Sequence, residues 1–164
     1  MDFRIPHPGL VLQKYALKRS ELRNFFLIVI GIILLDQILK SLVTAFVDKP
    51  ITIIPGLVTI RLAENSGVAF GMLSAWPVLV LIITGIILFG FLYALPFITR
   101  SYILPFALIV GGAFGNFIDR LSYGYVIDYV SVSYFSVFNL ADTAIFCGVV
   151  WILVLEFRKD KKKK

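Results

Sequence analysis

Cysteine and histidine are nearly missing from this chain: its 164 residues include one of each, Cys147 and His7. A lone cysteine has no partner for an internal disulfide, and nothing in cysteine usage demands an oxidising compartment. With His7 far away in sequence and no Cys and His cluster, no metal site is supported. Charge is also scarce, at 16% of residues, and lopsided, with 16 Lys and Arg against 10 Asp and Glu. Internal repeats are lacking, and the one low-complexity stretch is the closing lysine tail. What fills the chain instead is apolar: 59% hydrophobic residues, against the roughly 45–50% usual in soluble domains. Length and composition together give an integral membrane protein of one compact domain.

The positive charge sits at the two ends. Arg4, Lys14, Lys18, Arg19 and Arg23 precede the first apolar run, and Arg158, Lys159 and the lysines at 161–164 follow the last. Beside hydrophobic spans, such tails are topology signals of the cytoplasmic face rather than nucleic-acid contacts. Four apolar segments, about 25–47, 76–98, 102–118 and 140–157, are each near the ~20 residues a helix needs to cross the hydrocarbon core. The first runs through Asp36 and Lys40 without a small-residue cleavage site, so it reads as a retained span. An even number of spans leaves both termini cytoplasmic, with Thr99-Arg100-Ser101 as a tight turn on that side. The expected organisation is a basic segment over 1–24, a membrane domain over 25–157 and a basic tail over 158–164.

The two outer connections carry strand signals. Ile51-Thr52-Ile53-Ile54 and the run beginning at Leu57 flank Pro55-Gly56 and read as a hairpin. Val130-Ser131-Val132-Ser133-Tyr134 alternates at the strand period. The fold class is therefore an all-α integral membrane protein, four transmembrane helices carrying a small β-rich extracytoplasmic platform. The stretch 10–23 suits an interfacial amphipathic helix and equally a disordered basic tail.

Several polar groups sit where a membrane protein keeps few. Asp36 and Lys40, four apart, share a helix face and can pair, structurally or in a functional role. Asn65-Ser66-Gly67-Val68-Ala69-Phe70-Gly71 is a glycine-bearing entry to the second span. Gly111-Gly112-Ala113-Phe114-Gly115 gives the third span a small face suited to close helix packing. Asn116, Asp119 and Arg120 end that span, with Arg120 in a supporting role and Asp119 unassigned. Asp128 lies in Val126-Ile127-Asp128-Tyr129-Val130, and Asp142 closes Phe138-Asn139-Leu140-Ala141-Asp142. Each aspartate has a structural reading: Asp128 as a solvent-facing strand residue, Asp142 near a helix start capped by Asn139. If they meet, they cannot both ionise easily, and one keeps a proton while the other stays charged. Such a pair can activate water and polarise a scissile carbonyl with no metal or cofactor.

The ordered set Asp36-Gln37 with Lys40, Asn65-Ser66-Gly67-Val68-Ala69-Phe70, Gly111-Gly112-Ala113-Phe114-Gly115-Asn116 with Asp119-Arg120, Val126-Ile127-Asp128-Tyr129 and Phe138-Asn139-Leu140-Ala141-Asp142 closely resembles bacterial lipoprotein signal peptidase, signal peptidase II. The resemblance implies an intramembrane aspartic endopeptidase of the inner membrane, with its active site toward the outer face. It implies cleavage of prolipoproteins before a diacylglyceryl-modified cysteine, contact with membrane lipids, and inhibition by globomycin-type cyclic peptides. By motif match, Asp128 and Asp142 are the catalytic dyad. Asn65, Gly67, Gly115, Asn116, Arg120, Asn139 and Ala141 shape or support the site, and Asp36 and Lys40 stabilise its surroundings. No polar motif position departs from the family pattern.

Two other classes fit the composition. A transporter would use the aspartates for cations or protons, but the chain lacks paired broken helices or repeated halves. A noncatalytic adaptor would bind anionic lipid through its basic tails and survive loss of either aspartate.

Overall fold

A computed structural model describes residues 17–67 and 75–161. Four helices, α1 (Arg19–Phe46), α2 (Pro77–Ala94), α3 (Ile103–Tyr123) and α4 (Leu140–Lys161), carry a sheet made of β1 (Ile51–Ile54), β2 (Val58–Asn65), β3 (Val126–Val132) and β4 (Val137–Phe138). All four helices are long and apolar enough to cross a membrane. Three of them outrun their apolar segments, α4 by running on to Lys161. α1 starts at Arg19, where the amide of Lys18 donates to Glu21; α3 runs on to Tyr123 because its polar last turns are paired inside the protein. The interfacial helix expected over 10–23 falls mostly outside the described residues, as do Val68-Ala69-Phe70-Gly71.

Helix boundaries follow local chemistry. Pro77 occupies the first turn of α2, where its missing N–H costs nothing, and Leu95-Pro96-Phe97 and Arg100-Ser101-Tyr102 form short 3-10 turns into α3. Gly124, at φ 82°, ends α3 in the left-handed conformation while its amide donates to the Arg120 carbonyl.

α3 is the centre of the bundle. It packs against all three other helices, whereas most of the side-chain surface of α1, α2 and α4 faces outward. Near the end where α1 begins, Phe106 stacks on Phe25 and meets Phe91 edge to face. Toward the other end the contacts are glycine contacts. A Cβ at Gly112 would stand 2.3 Å from the Ala141 carbonyl oxygen, and one at Gly115 would stand 2.6 Å from Asp36 Oδ2. The small face expected for helix packing thus lets α3 approach α1 and the start of α4. Since a backbone carbonyl cannot swing aside, Gly112→Ala should lower thermal stability in detergent by about 1–3 kcal/mol; an unchanged melting curve would contradict this packing.

The sheet is antiparallel in the order β1-β2-β3-β4. The Pro55-Gly56 hairpin forms as the sequence suggests, with Gly56 at φ 71°. β3 begins earlier than the alternating run, at Val126, because its first four residues are all buried and show no polar face. Between Ile60 and Ala63 the β2–β3 register shifts, leaving an extra residue in β2 immediately before Ala63 pairs with Asp128. A bulge there bends the strand and re-aims the neighbouring side chain.

Candidate active site

Beneath the sheet lies a charged cluster built on α1. Lys40, 2% exposed, has three ammonium hydrogens and three acceptors: Asp36 Oδ2 at 2.7 Å, Asp119 Oδ2 at 2.8 Å and Asn116 Oδ1 at 3.1 Å. The expected Asp36–Lys40 pair therefore exists and gains Asp119, the residue left unassigned. Gln37 donates to Asp119 Oδ1 at 2.9 Å and to the Gly115 carbonyl at 3.2 Å. Asp119 in turn accepts from the amide of Ile127 at 3.0 Å, fixing the strand one residue before Asp128.

α4 starts inside this cluster, and its first free amides are all satisfied. Leu140 N–H donates to the Tyr129 hydroxyl at 3.2 Å, Ala141 N–H to Asp36 Oδ1 at 3.0 Å, and Asp142 N–H to Asn139 Oδ1 at 2.9 Å. Asp142 Oδ2 accepts from the Asn139 amide at 3.2 Å, so Asn139 and Asp142 cap reciprocally, as their spacing suggests. Burial pushes the Tyr129 phenol up to about 12, which keeps its proton in place.

Asn139 also reaches the other aspartate. Its Nδ2 donates to Asp128 Oδ1 at 2.8 Å and to Asn116 Oδ1 at 2.9 Å, while Asn116 Nδ2 donates to Asp142 Oδ1 at 2.7 Å. Because Asn116 Oδ1 accepts from both Lys40 and Asn139, its amide must turn Nδ2 toward Asp142. The cluster on α1 thereby sets the side-chain geometry at Asp142.

Asp128 lies on β3, outside the spanning helices, and is 1% exposed rather than solvent-facing. Its Oδ2 accepts from Asn65 Nδ2 at 3.0 Å. Burial first, then the charge of Asp142, push Asp128 up to about 7, against the opposing effects of Asn65, Lys40 and Asn139. Arg120 Nη2 donates to the Gly67 carbonyl at 2.8 Å, and Gly67 N–H donates to Asn65 Oδ1 at 3.1 Å. Arg120 Nε is buried without a hydrogen-bond partner among the described residues. An open groove of about 240 Å³ runs past Asp128, lined also by Ala63, Glu64, Asn65, Ser66, Ser136 and Val137.

All eleven site residues read from the sequence meet here: Asp36, Lys40, Asn65, Gly67, Gly115, Asn116, Arg120, Asp128, Asn139, Ala141 and Asp142. Gln37, Asp119 and Tyr129 complete the network and were not assigned. The i, i+3 spacing of Asn116 and Asp119 signals a shared face; nothing local marks Tyr129 as the partner of Leu140.

A protein-family profile described as signal peptidase (SPase) II matches residues 28–158. The chain belongs to the signal peptidase II family. It is a peptidase and a multi-pass protein of the inner membrane. Two similar signal peptidase II relatives are the lipoprotein signal peptidases of Pelodictyon phaeoclathratiforme, 39% identical with 81% of this chain and 89% of the relative covered, and of Halothermothrix orenii, 36% identical with 83% and 97% covered. A bacterial membrane enzyme structure obtained by the in meso method superposes with a TM-score of 0.78 at 29% identity, covering 86% of this chain and 92% of that one. A second such structure gives 0.70 at 30% identity, with 80% and 91% covered. The signal peptidase II match spans every residue of the site from Asp36 to Asp142.

Proposed function

We propose that this peptidase removes signal peptides from prolipoproteins, cutting before a cysteine that carries a diacylglyceryl group, through water activated by Asp128 and Asp142. The observation that carries this reading is Asn139, whose side chain and backbone amide hold the two carboxylates in one hydrogen-bonded unit. Asp128 keeps the shared proton and donates it to the scissile carbonyl oxygen, while Asp142 takes a proton from the attacking water. Collapse of the resulting diol returns one hydroxyl proton to Asp128, while Asp142 passes the proton it took from water to the departing nitrogen, which restores the starting pair. Arg120 holds the Gly67 carbonyl through Nη2 and so supports the backbone beside Asn65.

The membrane supplies the rest of substrate positioning. Arg19, Arg23, Arg100, Arg158, Lys159 and Lys161 gather at the opposite end of the bundle from the dyad, so the positive-inside rule puts the site toward the outer face. A lipid-anchored cysteine holds the scissile bond at that depth, and a globomycin-type cyclic peptide would occupy the same groove. The test is purified protein with a diacylglyceryl-modified precursor peptide. Cleavage before the modified cysteine, unaffected by chelators, is expected; equal cleavage of the unlipidated peptide, or metal-dependent activity, overturns the reading.

The proton assignment predicts a pH profile. Above its midpoint Asp128 loses the shared proton and kcat falls, giving an alkaline limb near 7. The Asn65 hydrogen bond favours the ionised form, so Asn65→Ala should move that limb to higher pH. A limb that stays put or moves lower contradicts the assignment.

A further inference from the structure

Half of the sheet carries no charge at all. No Asp, Glu, Lys or Arg occurs in 51–60 or in 129–138, while Asp48, Lys49, Arg61 and Glu64 lie outside these stretches. In this half Ile53, Ile54, Leu57, Tyr134 and Phe135 are all exposed. The two turns that bear them form one tip, because the Ser133 amide donates to the Leu57 carbonyl at 2.8 Å. Tyr134, the one non-glycine residue with positive φ among those described, at 63°, holds its ring fully outside the protein. A left-handed non-glycine residue is strained, and an aromatic ring without protein contacts does nothing to offset that strain.

Helix geometry sets the depth of this tip. Hydrogen bonds tie Asp36 to Ala141 and Lys40 to Asn116, so the start of α4 and the sheet above it lie level with residues 36–40 of α1. α1 continues to Phe46, about 9–15 Å further at 1.5 Å per residue, and Ile38, Leu42 and Phe46 on α1 are exposed. From Leu140 to Arg158 along α4 is about 27 Å by the same rise, close to the ~30 Å thickness of a hydrocarbon core. The sheet thus leaves the bundle at the outer edge of the core, below the top of α1, and not from a stalk above the bilayer.

We infer that the tip formed by Ile53, Ile54, Leu57, Tyr134 and Phe135 is a wedge inserted into the outer leaflet, its partner being the phospholipid layer at the acyl and headgroup boundary. Aromatic rings are favoured in that layer, and an uncharged aliphatic tip is stabilised there by burial. Inserted, the wedge fixes the height and tilt of the Asp128 groove relative to a lipid-anchored peptide.

The direct test is a single fluorophore. Trp76 and Trp151 are replaced by Phe, Tyr134→Trp is introduced, and the full chain is reconstituted in phosphatidylcholine and phosphatidylglycerol vesicles with lipids brominated near the headgroup. Strong quenching by bromolipid and weak quenching by aqueous iodide are expected at every protein-to-lipid ratio. Full iodide access without bromolipid quenching overturns the wedge, as does bromolipid shielding that grows with protein density, which would mean a second copy covers the tip. This readout is independent of chemistry, so it stands or falls separately from the proposed reaction. A second variant, Leu57→Asp with Phe135→Asp, should cut turnover of a vesicle-embedded lipidated precursor about tenfold or more and leave turnover in detergent unchanged. Equal effects in the two settings would also overturn it.

Discussion

Asp128→Asn and Asp142→Asn should each reduce cleavage of a lipidated precursor to background while the protein remains folded. A positioned general acid or base contributes about 10²–10⁴ in rate, and removing one member of a proton-sharing pair disables the other. The double variant should therefore be no worse than the more damaging single one, as for residues that act as a unit. Folding should survive because an amide resembles the protonated acid that the Asp128 environment favours. Asp128 titrates higher in the fold than its ordinary value, so its contribution to stability is greatest at acid pH and is lost as pH rises through about 7. Asp128→Asn removes that loss, at the cost of one of the two bonds from Asn65 and Asn139, worth about 1 kcal/mol. Normal turnover by either single variant would remove the dyad from the mechanism.

Lys40→Met has the largest expected effect on the fold. Among the described residues the ammonium is the one cation bonded to both Asp36 and Asp119, and methionine fills similar space without replacing any of its three bonds. Breaking a buried ion pair by removing one partner costs about 3–5 kcal/mol, here with two carboxylates left behind. The loss spreads to the site because Asn116 Oδ1 loses one of the two donors that orient its amide toward Asp142. Thermal unfolding in detergent should move down sharply. Adding Asp119→Asn to Lys40→Met should recover part of the loss, since one uncompensated charge is gone. Unchanged stability in Lys40→Met would mean that the cluster is solvated rather than buried.

The spans and the hairpin were legible because length and period are local properties: about 20 apolar residues make a span, and Pro55-Gly56 between β-branched runs makes a turn. Asn139 as a cap with Asp142 in the first turn was legible for the same reason. The start of β3 was not, since Val126-Ile127-Asp128-Tyr129 is covered on both faces and the strand alternation disappears there. Helix ends were blurred where polar residues are paired internally, as at Asp119 and Arg120 in the last turns of α3. The role of Asp119 depends on Lys40, 79 positions away in sequence, and the bond from Ala141 to Asp36 spans 105. Contacts of that kind leave no trace in local composition; the family resemblance, through the order of the motifs, named residues that the fold brings together, where periodicity could not. Gln37 lies inside one of the motifs, but one amide on a helix has no pattern of its own.

Infrared difference spectroscopy on the full chain in lipid tests the central claim, that Asp128 and Asp142 are one coupled site sharing a proton. The band sought is the protonated carboxyl stretch that disappears in Asp128→Asn. It should titrate at about 7 in the unmodified protein and at lower pH in Asp142→Asn, where the neighbouring charge is gone. A band that titrates in the ordinary carboxylate range and does not move in Asp142→Asn would contradict the account.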